Sequence, residues 1–391
     1  MGPEAYILID HAYEAYRQGR FIEAGVLAGQ TCNDAKKAGK DELAYELGLF
    51  EVQCLLRAGK PLGALNRLLT MESWQAPLHE YLFQMKEQTF DLLRSYNPDV
   101  TQLETRLGEL ERLARSALDG VVADFRLYEY LYLEDQGKDE KALNSIELAW
   151  SERGAGTMNH AHSTASYGCL VNLRLNRRPQ AEDWVKIMER DGEITCLGYR
   201  ADLADCKAEL ALFDGRYEDV FHYAQQQRRV AMEYADKIRV HEAIEKQVRS
   251  RLLDATNGDP VDRLSGVLDV FKQAIPGKNS LQLQFRFSLL LLDIRLAAVR
   301  WAVGMQPAED SWYQSPQVVA CDLRVAKDEA IRRIDKTQAA IRRAGKIARQ
   351  SDQAFCCDWR QEAVNHRRER LQKIVSNLDQ GVTSDFTVNK V

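Results

Sequence analysis

The chain has 391 residues, more than one hydrophobic core usually organises, with nine prolines and a formal net charge of −5 at pH 7. That balance excludes a global electrostatic attraction to nucleic acid or an anionic membrane, and the scarcity of proline favours helix almost throughout, with no sheet expected. The start, Met1 to Tyr6, has no basic region leading into an apolar run, so no secretory signal is read there and a cytoplasmic location is expected. Eight cysteines without C-x-x-C pairing read as reduced thiols in a helical core.

In chain order, a helix from about Ala5 to Arg17 should stop at Gly19, and a second should run from Phe21 to Lys37 before Gly39. The second unit covers about Glu42 to Met71, with Gly59 at its turn and Pro61 at the start of its second helix, where the missing amide proton costs nothing. The same turn recurs at Asn97-Pro98, Gly137, Asn176 and Gly215, so the anchors step by 38 to 40 residues. Pro98, Pro179 and Pro260 fall in the same phase, extending the series to a seventh unit at Asn257-Gly258. A fixed period of this size is the mark of stacked helical hairpins.

The packing columns follow from the anchors. Seven residues before them stand Ala12, Val52, Phe90, Tyr130, Cys169 and Ala208; four before stand Ala15, Leu55, Leu93, Leu133, Asn172 and Ala211. Ala28, Leu68, Leu107, Ile146, Val185 and Ala224 form a third column on the second helices. Such columns at helical spacing are what each hairpin buries against the next.

At Gly19-Arg20-Phe21 with Ala24, and at Gly215-Arg216-Tyr217, the chain resembles the tetratricopeptide-repeat family in a degenerate form with a long period, over roughly residues 5 to 235. The resemblance implies an all-α, right-handed α-solenoid whose first helices line a concave groove. Inward positions then fall 13, 10, 6 and 3 residues before each anchor. They hold Tyr6, Tyr13, Tyr16, Glu46, Glu87, Asp91, Arg94, Asp124, Glu134, Asp202, Asp205 and Glu209, eight acids against one base. An acidic groove for a basic protein or peptide segment is expected, with Asp202, Asp205 and Glu209 exposed in it.

After the array, expected over 1–275, comes a stretch at 276–317 holding an apolar helix and a connecting loop. Leu281 to Val303 carries Arg286, Asp293, Arg295 and Arg300, too many charges for a bilayer, so it reads as a buried helix. A basic amphipathic hairpin is expected at 318–378, with its break at Ser351-Asp352, and a polar tail at 379–391. Between Cys321 and Val375 there are 14 Lys and Arg against 8 Asp and Glu. The pairs Arg332-Arg333, Arg342-Arg343 and Arg367-Arg368 offer a second contact surface for an acidic protein, for a second copy of the chain, or for nucleic acid.

Chemistry is harder to find. No phosphate loop, nucleophile elbow, H-E-x-x-H or dinucleotide turn is present, so neither an enzyme nor a cofactor is expected. His160 and His162, with Cys169, are metal-ligating types, but histidines two apart do not share a helix face, and no metal site is assigned. The leading expectation is a non-enzymatic adaptor or scaffold with an acidic groove. The alternatives are a ligand-responsive signalling regulator whose repeats control the C-terminal helices, and a nucleic-acid-associated factor using the basic hairpin.

Overall fold

The computed structural model describes residues 3–74, 79–96, 98–116, 121–152, 158–190, 197–233, 237–253, 259–262, 264, 269, 281–304 and 323–381. Among these residues there is no strand, and nearly every one lies in a helix or a short turn between helices. The chain folds as two units, one running through Gly168 and the other from Cys169.

The first unit contains four hairpins. They pair α1 (Pro3–Arg17) with α2 (Phe21–Lys37), α3 (Asp41–Arg57) with α4 (Pro61–Met71), α5 (His79–Tyr96) with α6 (Val100–Ser116), and α7 (Val121–Asp135) with α8 (Asp139–Glu152). The boundary between units falls inside α9 (Met158–Arg174). The second unit continues with α10 (Arg178–Arg190), α11 (Leu197–Phe213), α12 (Tyr217–Glu233), α13 (Lys237–Leu253), α14 (Leu281–Ala302), α15 (Lys327–Phe355) and α16 (Trp359–Gly381). This is an all-α array of tetratricopeptide-like hairpins followed by a long C-terminal hairpin.

One turn chemistry closes the hairpins. Gly19, Gly59, Gly137 and Gly215 take φ between 69° and 74°, and the residue after each donates its N–H five residues back: Arg20 to Ala15, Lys60 to Leu55, Lys138 to Leu133 and Arg216 to Ala211. That bond satisfies a helix-end carbonyl, and it requires a left-handed residue, which glycine adopts without a Cβ penalty. Asn176 fills the same place at φ 60°, with Arg177 donating to Asn172 at 2.8 Å. At the weaker anchor, Asn97 is outside the described residues; Asp99 caps α6 there, its carboxylate accepting from the Gln102 N–H at 3.1 Å. Asn257 and Gly258 of the seventh unit also lie outside the described residues.

The columns are the core. All six residues placed seven before the anchors have no exposed surface, and Ala28, Leu68, Ile146 and Ala224 of the second helices are equally enclosed. Leu55, Leu107 and Leu133 are only half-buried. Small residues recur because neighbouring helices come close. A Cβ on Gly48 would sit 2.7 Å from the Met71 sulfur, so a larger residue there would force the buried Met71 thioether to move.

At the C-terminal end, Phe285, Leu292, Leu296 and Val299 of α14 pack with Ile334, Ile341, Ala344 and Ala348 of α15 and with Val364, Leu371 and Ile374 of α16. No described helix is long and apolar enough to cross a membrane. The break in this hairpin corrects the sequence reading. Ser351 and Asp352 are buried inside α15, and the chain turns at Cys356, which is left-handed at φ 50°. Asp352 still acts as a cap, but from the preceding helix: its carboxylate accepts from the Gln361 N–H at 2.7 Å in the first turn of α16. Of the expected start, 318–322 lie outside the described residues, and 323–326 precede the helix.

Candidate partner-binding faces

The first helices of successive hairpins touch one another: α3 meets α5, α5 meets α7, and α11 meets α13. Residues at the inward positions of one helix are thereby brought beside those of the next. The two units use this arrangement differently.

In the first unit the side chains are aromatic and acidic. Tyr13 stacks on Phe50 at 4.5 Å, and Tyr16 lies 5.3 Å from both Phe50 and Phe21. Glu46 is exposed beside them; burial raises the Tyr13 phenol, and Glu46 adds to the rise. The side chain of Tyr6 is outside the described residues. Further along, Glu87 on α5 accepts a hydrogen bond from Tyr128 on α7, with Asp124 and Asp91 close enough to repel its charge. Burial and those two carboxylates push Glu87 up to about 8, with only the Tyr128 hydroxyl pulling it down. Burial and the same carboxylates raise the Tyr128 phenol well above its ordinary value.

Arg94, the one cation among the expected inward positions, answers Asp91 and Asp135 but not Glu87 itself. It binds Asp135 at 2.8 Å and Asp91 at 3.2 Å. Burial opposes its charge, but Asp135 and Asp91 more than offset burial and keep it protonated. Glu134 accepts from the Tyr130 hydroxyl at 3.0 Å, and Tyr130 stacks on Tyr167 at 4.7 Å.

In the second unit the acidic column is neutralised. Asp202 and Asp205, expected in the open, are 7% and 8% exposed, and Glu209 is half-buried. The reason is α13. Arg239 reaches Asp202 at 2.6 Å, and the Lys246 ammonium bridges Asp205 at 2.7 Å and Glu209 at 3.1 Å. Burial opposes the charge on Lys246, yet Asp205, Glu209 and Glu242 hold it protonated. Asp202 is pushed by burial up to about 7 in spite of Arg239. The ladder continues into α14: Arg286 binds Glu242 at 3.0 Å and Glu245 at 2.9 Å, and Arg249 binds Glu245 at 2.6 Å. These cations hold Glu245 down to about 2 although burial works the other way.

The arginine pairs are split by the fold. Arg367 is buried and grips Asp293 of α14 with two nitrogens, at 2.8 and 3.0 Å, while Arg333 faces Asp259 and Glu329 beneath the Trp301 ring. These two therefore leave the expected contact surface, because helical periodicity turns one member of each of these two pairs towards its neighbours, while both members of Arg342-Arg343 stay outward. Arg332, Arg342 and Arg343 are exposed, Arg332 beside Glu329, and Arg368 is half-buried.

The sequence reading missed Tyr128, Arg239, Lys246 and Arg286. Tyr128 lies off the four expected columns, nine residues before its anchor. Arg239 and Lys246 were legible as cations seven apart on one helix, but Ser250, a polar residue, stands seven before their anchor at Asn257, so the column that fixes the phase elsewhere is interrupted there. The backbone of Asn159 to His162 lies in α9, and their side chains are outside the described residues. Among the described residues, no group of three or more His, Cys, Asp or Glu is placed to hold a metal ion.

No family model matches the chain. No curated protein matches it. Solved structures similar to it include a Rap protein complexed with competence and sporulation factor, 12% identical over 97% of this chain and 99% of that one, at a TM-score of 0.49. Another is the human IFIT1 dimer with m7Gppp-AAAA, 13% identical over 93% of this chain and 80% of that one, at 0.48. A tetratricopeptide repeat protein from Parabacteroides merdae is 14% identical over 95% of this chain and 100% of that one, at 0.34. These likenesses carry no weight at such scores; the hairpin fold rests on the helices and turns themselves.

Proposed function

We propose that the protein is a non-enzymatic binding scaffold whose first unit captures a basic segment of a protein or peptide on the face formed by α5 and α7. The observation that carries this is Glu87, half-buried beside Asp91 and Asp124 and pushed up to about 8. No cation acts on that carboxyl among the described residues, and an incoming Lys or Arg would supply one. Tyr128 and the aromatic residues Tyr13 and Tyr16 on the same series of first helices offer amphipathic surface to the partner's stem carbons. The second unit, whose acids already face Arg239, Lys246 and Arg286, is not the peptide site on this reading.

A cation beside Glu87 lowers its pKa, so binding must release a proton. Titration calorimetry of a peptide library carrying one or two Lys or Arg residues, run at pH 7 in buffers of different ionisation heat, should show release of about one proton per peptide bound. Glu87→Gln should abolish that release and weaken binding about tenfold, whereas Asp202→Asn should do neither. Binding without proton release, or binding unaffected by Glu87→Gln, refutes the assignment.

A further inference from the structure

In the second unit, Arg239, Arg286, Arg333 and Arg367 each face a carboxylate. Arg295 on α14 departs from that pattern. Its side chain is half-buried and its Nε, with no exposed surface, hydrogen-bonds to nothing among the described residues. The charged group that acts on it is another guanidinium, that of Arg343 on the helix packed against α14, and burial and this like charge both work against its protonation. Neither guanidinium meets an acid among the described residues, and a half-buried guanidinium such as that of Arg295 is costly in that state unless an anion completes it.

Arg343 belongs to a longer feature. The inward face of α15 is apolar, built on Ile334, Ile341, Ala344 and Ala348, so helical periodicity collects its charges on the opposite side. There Arg332, Lys336, Arg342, Arg343, Lys346 and Arg349 are all exposed, over roughly 25 Å of helix at 1.5 Å per residue, against Asp335. Arg332 is answered by Glu329, and among the described residues the only hydrogen bond of Arg343 is a long one, 3.4 Å, to the Ala339 carbonyl. A row of this length and sign suits an anion that is itself linear. No aromatic side chain interrupts the row, so the complementary group is the charged backbone of the ligand and not a stack of rings.

We propose that the outer face of α15, together with Arg295, binds a linear phosphate polyanion, one phosphate bridging Arg295 and Arg343 and its neighbours lying along Lys336, Arg342 and Lys346. Guanidinium geometry matches phosphate oxygens in pairs, which a point charge does not. The site is independent of the peptide face in the first unit.

Fluorescence anisotropy of a labelled 15-residue oligouridylate on the full chain tests it. If about four phosphates are neutralised, affinity should fall roughly 50-fold between 50 and 200 mM salt. The double variant Arg343→Glu/Lys346→Glu, at exposed positions, should keep its helical circular dichroism and melting temperature while losing at least tenfold in affinity and part of the salt slope. Arg295→Gln should weaken binding several-fold, Asp335→Asn should tighten it, and Glu87→Gln should leave it unchanged. Inorganic polyphosphate with the same number of phosphates should compete; equal affinity assigns the site to the phosphate row alone, and a tenfold preference for the oligonucleotide assigns it to nucleic acid. No binding at 50 mM salt, full affinity in the double variant, failure of polyphosphate to compete, or equal competition by polyglutamate each overturns the proposal.

Discussion

Three carboxylates show how far environment decides what a residue does. Glu87 sits among other acids and keeps its proton; Glu245 sits among Arg249, Arg286 and Lys246 and loses it down to about 2; Asp202, buried with one arginine, lies between them at about 7. What differs is the sign of the charges that surround each one, from its own helix and from the next: Asp91 and Asp124 about Glu87, Arg249, Lys246 and Arg286 about Glu245. The pair Arg367 and Asp293 is the extreme case, both groups buried and joined by two hydrogen bonds. Removing one partner strands the other, so Arg367→Ala should lower unfolding free energy by about 3–5 kcal/mol in urea titrations. The double replacement Arg367→Met/Asp293→Leu should recover most of that loss, because neither charge is then left without its counter-ion.

At the scale of helices, the turn dictates the hairpin. A left-handed residue followed by a backbone bond five residues back lets the chain reverse in three residues, and glycine is the residue that does so without strain. Asn176 tolerates the conformation less well than glycine, so Asn176→Gly should stabilise the second unit by up to about 1 kcal/mol, measurable as a rise in its denaturation midpoint. The C-terminal turn is built in the same way, with Cys356 in the left-handed place and Cys357 donating its N–H to the Asp352 carbonyl at 3.0 Å. That turn was hard to read. Cysteine is not a turn residue by composition, whereas Ser351-Asp352, five residues earlier, has the composition of a helix break.

For the molecule as a whole, the shifted carboxyls set how stability depends on pH. Glu87 and Asp202 have folded pKa values above their ordinary 4.5 and 3.8, so the native state holds protons that the unfolded chain releases. Their contribution is full in acid below those ordinary values and is lost as pH rises through about 7 and 8. Glu245 runs the other way: its contribution is present above 4.5 and is lost as pH falls through about 2. Stability should therefore peak at about pH 4 and decline on both sides, each raised carboxyl contributing on the order of 2–4 kcal/mol to the alkaline limb. Thermal melts followed by circular dichroism should show a lower midpoint at pH 8.5 than at pH 5, and Glu87→Gln with Asp202→Asn should flatten that difference.

The sequence by itself determined the helical hairpins, because glycine anchors, in-phase prolines and small apolar columns are local facts that repeat and corroborate one another. It also determined which residues are enclosed, since the column seven before each anchor faces the next helix wherever the period holds. It could not determine which acids remain unanswered. The inward positions of α11 carry carboxylates like those of α5 and α7, and only the packing of α13 brings Arg239 and Lys246 onto them, while Arg94 on α5 is drawn to Asp135 and leaves Glu87 among acids. Charge on one helix face is legible from spacing. Whether that charge is neutralised depends on side chains some 40 residues away in the chain, and no local pattern encodes their approach.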